Sequence, residues 1–183
     1  MTRALVCVVT LFSVTLSLTA QAKDAEMQCP IPAHGGLAFT VPAGWKAVCG
    51  ATTADPPSGN VKITSVKPGD FELLMTSVWV TPAQRGNFAG ANLKTIVQSA
   101  GEVLLPGAVE TSLVLTELSS ATSRGFVFTL TDKSPGPGEF KYMMQGTVVT
   151  GELVVSVTFL YRDPATSHRA SALALLKGAH QGK

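Results

Sequence analysis

Between Phe140 and Tyr161 the chain alternates apolar and polar residues twice in succession, and no other feature limits its folding as tightly. Phe140, Tyr142, Met144, Gly146 and Val148 occupy every second position of one segment; Leu153, Val155, Val157, Phe159 and Tyr161 do the same in the next. A period of two belongs to a strand with one buried face, so the pair reads as an antiparallel hairpin. With the turn at Thr150-Gly151, Val149 faces Glu152, Val148 meets Leu153, Met144 meets Val157, and Tyr142 meets Phe159. A slip of one residue would send one apolar set to the opposite face, so the pattern itself selects the register. Gln145 with Ser156 and Met143 with Thr158 make the other face, mostly polar and expected to meet water. Threonine suits the first position of a type I′ turn poorly, which leaves the turn type open.

Further strands are expected at residues 37–41, 45–50, 61–66, 71–80, 110–118 and 124–131, the last with Phe126, Phe128 and Leu130 on one face. Turn residues such as Pro42-Ala43-Gly44 and Lys67-Pro68-Gly69-Asp70 separate them, and residues 51–60 read as a loop. Residues 23–36, with Pro30, Pro32 and Gly35-Gly36, read as an irregular lead-in. Leu93, Ile96, Val97 and Ala100 form one helical stripe, with Asn87 or Asn92 as cap and Gly101 as stop. A last helix begins at Asp163-Pro164, carries Ala170, Leu173 and Ala174 beside Ala172, Leu175, Leu176 and Ala179, and is bounded by Lys177-Gly178. The class is therefore α+β: an antiparallel sheet with one face covered by a mid-chain helix and a C-terminal helix.

The opening 22 residues read as a secretory signal peptide. Arg3 supplies the positive start, residues 4–18 are apolar with short hydroxyl residues, and Ala20-Gln21-Ala22 is the small-x-small cleavage pattern. The apolar stretch is shorter than the roughly 20 residues of a spanning helix, so no membrane anchor is expected after cleavage. The nearest following cysteine, in Met27-Gln28-Cys29-Pro30, is too distant to accept lipid, so a lipoprotein is not expected either. Cleavage leaves residues 23–183 as a single α+β domain in the periplasm or outside the cell. Its 13 basic residues balance 12 acidic ones, and the absence of a basic run argues against nucleic acid as a partner. The mean hydropathy of +0.29 includes the leader, which is the most apolar part of the chain. Cys7 leaves with the leader. Cys29 and Cys49 remain and have one intramolecular pairing open to them in an oxidising compartment. The alternatives are two free thiols, or a metal site with His34 that lacks any CxxC spacing.

The order of these parts resembles the PsbP-like fold, named for an extrinsic protein of the photosynthetic water-oxidising complex. Phe39-Thr40-Val41-Pro42-Ala43-Gly44-Trp45 is similar to that family's opening strand and its Pro-x-Gly-Trp turn. The mid-chain helix, the antiparallel run to Tyr161 and the final helix follow in the family's order, while the cysteine pair is a departure. The resemblance implies a docking or assembly protein with no catalytic residues to carry over.

No GxSxG, HExxH, phosphate-loop or dinucleotide motif is present, and no cofactor is expected. His168 on the outer side of the last helix and His180 near a fraying end read as solvated; His34 is the better candidate base, without an identifiable partner. Asp70 and Glu72 could bind calcium or act as an acid–base pair, although a solvated edge is the plainer reading. Trp45 and Trp79 read as core residues more than ligand platforms. Tyr142, Met144, Val157 and Phe159 read as packed core, or as the lining of an apolar pocket under the last helix. Two loops favour exposure and are the expected partner surface: residues 81–90 with Arg85 and Phe88, and residues 132–139 with Asp132, Lys133, Pro135, Pro137 and Glu139. The function expected is a protein-binding module of the envelope, an accessory factor or an inhibitor or immunity protein. A small exported hydrolase and a carrier of apolar ligands are the alternatives.

Overall fold

The computed structural model describes residues 23–165 and 167–183; the leader expected at residues 1–22 lies outside them. Among the described residues the elements run β1 (Ala25–Pro30), β2 (Gly36–Val41), β3 (Trp45–Thr52), β4 (Ser58–Ser65), β5 (Phe71–Trp79), α1 (Gly90–Leu104), β6 (Thr116–Ser119), β7 (Ser123–Thr131), β8 (Tyr142–Thr150), β9 (Leu153–Tyr161), α2 (His168–Gly178) and β10 (His180–Gly182). Single 3-10 turns at Arg85–Phe88 and Leu105–Gly107 flank α1. Seven strands form one antiparallel sheet in the order β3-β4-β5-β9-β8-β7-β6, and β1-β2-β10 form a second, smaller one. No described helix is long and apolar enough to cross a membrane.

The β8–β9 hairpin forms, in a register two residues from the expected one. Tyr142 pairs with Tyr161, Met144 with Phe159, Val148 with Val155, and Thr150 with Leu153. Gly151-Glu152 is the two-residue loop, and Gly151 takes φ +57°, as the first central residue of a type II′ turn does. An even shift leaves every side chain on its face. Met144, Val148, Leu153, Val155, Val157, Phe159 and Tyr161 are accordingly at most 2 % exposed.

The inward face of the large sheet is covered by the small sheet and by α2. Leu37 and Phe39 of β2, and Ala172, Leu175 and Leu176 of α2, close over Ile63, Leu73, Met75, Met144, Val157 and Phe159. The α+β class is the one expected, but the two helices do not share a face. In β7, Val127 joins this inner core, whereas Phe128 and Leu130 point the other way, into a second cluster with Val97 of α1 and Ala108. Both faces of β7 are apolar, so α1 covers the outer one.

Other expectations are corrected by tertiary context. The expected lead-in contains strand β1, in which Cys29 is buried and Glu26, Gln28 and Pro30 are exposed. Proline is tolerated there because it ends an outer strand of the small sheet. Gly101 does not stop α1, which continues to Leu104; Leu113 lies against the glycine, 2.5 Å from where a Cβ would stand. The face of α1 that meets the sheet is therefore Leu93, Val97 and Gly101, while Ile96 and Ala100 are exposed. Neither Asn87 nor Asn92 caps the helix; Ala89 is its N-cap residue, and the Asn92 amide donates to Gly86 O. The strand expected over residues 110–118 shortens to β6, because residues 108–115 cross the α1 side. The last helix starts at His168, since the Asp163 carboxylate is turned onto Ala165 N at 2.8 Å in a tight turn. Residues 180–182 do not fray; they pair with Ala38, Leu37 and Gly36. Cys29 and Cys49 are joined with a Cα–Cα distance of 5.4 Å, which ties the small sheet to β3 at the edge of the large one.

Candidate functional site

Two clefts on different parts of the molecule collect the residues of interest. The first lies between the end of α1 and the β7–β8 connection. It is an apolar cleft of about 270 Å³, lined by Leu104, Ala108, Leu130, Phe140, Met143 and Leu160 among others. Val103 and Val109, the chain neighbours of the lining residues Leu104 and Ala108, are 79 % and 57 % exposed, and Val114 is 75 % exposed. Apolar side chains this open are normal when scattered singly.

The loop expected to be exposed, residues 132–139, meets this cleft at Asp132 and is tethered. Asp132 accepts from Ser134 N at 2.8 Å and Glu139 from Gly136 N at 2.7 Å, so both carboxylates are spent on holding the loop's own turns. Lys133 donates to Pro106 O at 3.0 Å and fixes the loop to the end of α1. Arg162 binds it from beneath: its guanidinium lies 5.2 Å from the Phe140 ring centre and donates to the carbonyls of Gly69, Gly138 and Glu139. Pro135 and Pro137 remain exposed at the tip. Glu110 is held from the same side. Burial would push its carboxyl up, but the Thr131 N–H and hydroxyl, each at 2.8 Å, outweigh that and hold it below the usual carboxylate range.

The other expected loop begins at the opposite end of α1, and the structure directs it elsewhere. Phe88 is half-buried, and Arg85 forms an ion pair with Glu152 in the β8–β9 turn. Glu152 also accepts from Trp79 Nε1 at 2.9 Å. The Trp79 bond is the main cause of a carboxyl held below its ordinary value; partial desolvation opposes it, and Arg85 and His34 assist. The His34 ring stacks on Trp79 with 3.9 Å between centres and 15° between planes. Gln181 completes the set, accepting from Glu152 N at 2.7 Å and donating to His34 O at 3.2 Å. His34, Glu152 and Gln181 border a wide cleft of about 550 Å³ whose lining also includes Thr122, Thr150 and His180.

Chemically the second cleft is a clasp. Its carboxylate is occupied by an indole N–H and a guanidinium, which stabilise the anion and oppose uptake of a proton. Among the described residues no hydrogen bond holds the His34 ring, and no group of three His, Cys, Asp or Glu side chains is placed to hold a metal ion. Asp70 and Glu72 are not a couple: Asp70 pairs with Lys67 and Glu72 with Lys62. His168 turns inward, 4.8 Å from the Phe71 ring, which Trp45 also meets at 4.4 Å. His180 is a strand residue opposite Ala38. Tyr142 is half-buried, while Met144, Val157 and Phe159 pack directly on α2 and the small sheet. Sequence reading missed Glu152 and Gln181, whose roles arise only when remote turns converge.

No protein-family model matches the chain, and no curated protein matches it significantly. Among solved structures it is similar to cyanobacterial PsbP (CyanoP) from Synechocystis sp. PCC 6803, determined in solution. The match has a TM-score of 0.53 at 10 % sequence identity and covers 92 % of this chain and 98 % of that one. Likeness at this identity speaks for architecture, and the architecture is the PsbP-like fold.

Proposed function

We propose that this chain is an exported, non-enzymatic PsbP-like module of the cell envelope that docks to another exported protein, as an accessory factor or as an inhibitor or immunity protein. The observation that carries the reading is the apolar cleft beneath the end of α1, whose lining residues Leu104 and Ala108 adjoin the exposed Val103 and Val109 in the chain. Its volume of about 270 Å³ falls below the roughly 300–1,000 Å³ of ordinary ligand pockets, and it suits one large apolar side chain of a partner. The tethered loop that begins at the lining residue Asp132 loses little freedom on binding, which favours affinity. Export is supported by the leader-like opening and by the Cys29–Cys49 bond, which belongs to an oxidising compartment.

The test is capture from envelope extracts with the exported, oxidised chain and its Val103→Glu and Val109→Glu variants. The expected result is one exported protein retained in stoichiometric amount by the native chain and lost from both variants, which still fold because both positions are open. Retention of the same protein by the variants, or repeated failure to retain any, overturns the reading.

A further inference from the structure

The two sheets end in four outer strands, and three of them carry devices that discourage further pairing. β10 is three residues long. β6 is four residues long and exposes Glu117. β1 carries Glu26 and ends in Pro30. The fourth, β3, is different. It has eight residues, no proline, no acid and a single charge, Lys46. On one side it is paired with β4 along its whole length. On the other, among the described residues, no main-chain hydrogen bond leaves residues 46–52. Its outer row is Lys46, Val48, Gly50 and Thr52, with Val48 67 % exposed; its inner row includes Trp45, Ala47 and Cys49, each only half-buried.

We propose that β3 pairs antiparallel with β3 of a second copy of this chain, joining two seven-stranded sheets across a two-fold axis. The strand is its own complement. Opposite residues of an antiparallel pair share a face, so inner rows meet only if the axis passes through a residue of the strand. With the axis at Val48, Val48 meets Val48, Lys46 meets Gly50, and Ala47 meets Cys49. With it at Cys49, Val48 meets Gly50, Lys46 meets Thr52, and Ala47 meets Ala51. In both registers the one charge faces a neutral residue, and the half-buried inner row is extended by an identical apolar row. An isologous contact of this kind closes at two copies. It leaves the α1 side free, because β3 lies at the far edge of the sheet from β7 and β8.

The test is sedimentation equilibrium of the oxidised chain over a concentration series, with amide hydrogen exchange on the same samples. The expected result is a mass rising toward that of two copies, with amides of residues 46–52 becoming slower to exchange as concentration rises. Val48→Lys, at an open position, sets like charges at or beside the axis and should weaken association by about tenfold or more. A second variant, Val109→Glu, should leave it unchanged. A mass of one copy at every concentration overturns the proposal. So do association that Val48→Lys leaves intact, association lost in Val109→Glu, and protection of residues 46–52 that depends on an added foreign protein. If Val48→Lys fails to fold, the exchange of the native chain decides alone.

Discussion

The rings of His34 and Trp79 lie parallel at 3.9 Å, and the indole nitrogen of that stacked pair points its hydrogen at Glu152. The β1–β2 turn, the end of β5 and the β8–β9 turn are thereby fastened at one corner. Because the folded Glu152 carboxyl titrates below its ordinary value, its stabilising effect is complete above the unfolded carboxylate's pKa and is lost as pH falls through the folded value. Glu152→Gln keeps the size and removes the charge. Urea midpoints measured from neutral pH into the acid carboxylate range should fall more steeply for the native chain than for the variant. Glu110 titrates in both proteins and cancels in the comparison. Parallel curves would contradict the clasp.

The disulfide joins two layers that otherwise meet through side-chain packing and the Glu152–Gln181 hydrogen bond. Removing it by replacing both Cys29 and Cys49 with alanine opens a loop with a sequence separation of 20 and should cost about 3 kcal/mol in the chain-entropy account. The reduced native chain should unfold at nearly the same urea concentration as the double variant. An unchanged midpoint in the variant would show that the small sheet is held in place without the disulfide.

Gly146 sits in the middle of β8, where alanine would ordinarily be favourable for the strand. A Cβ there would strike the Phe126 carbonyl oxygen and come within 2.7 Å of Val127 Cα, both main-chain atoms of the adjacent strand. Gly146→Ala should therefore destabilise by about 1–3 kcal/mol, measured by chemical denaturation, because main chain cannot yield as a side chain does. A neutral or stabilising result would contradict the tight approach of β7 to β8.

Much of this fold can be read from residue order, and the failures share a cause. The inward set of β8 and β9 is legible because period two marks faces. The register is not, because a two-residue slip preserves every face and only the turn decides; Gly151 prefers the first central position, which moves the pairing by two. Helix α1 is legible from Leu93 and Val97, but its side of the sheet depends on β7, where Phe126, Val127 and Phe128 are apolar on both faces. β1 and β10 carry too little pattern to announce themselves; they exist because β2 lies between them. The loop at residues 132–139 was legible as exposed, but its stiffness comes from Arg162 and Pro106, which are remote in sequence and reach it only when the chain folds. Glu152 gave no signal at all, since a lone acid in a turn is ordinary until Trp79 and Arg85 are beside it.

The central claim, docking through the α1 side, is tested most directly by light-activated cross-linking in living cells, with a photoreactive residue placed singly at Val109 and at Leu74. Both positions are exposed; Val109 follows the cleft-lining Ala108 in the chain, whereas Leu74 on β5 is not among the residues that line the cleft. Dimer formation through β3 would not engage Val109, so that surface stays free for a different protein. The account predicts one discrete adduct with an exported protein from Val109 and none from Leu74. Equal labelling from both positions, or no adduct from Val109, would contradict it.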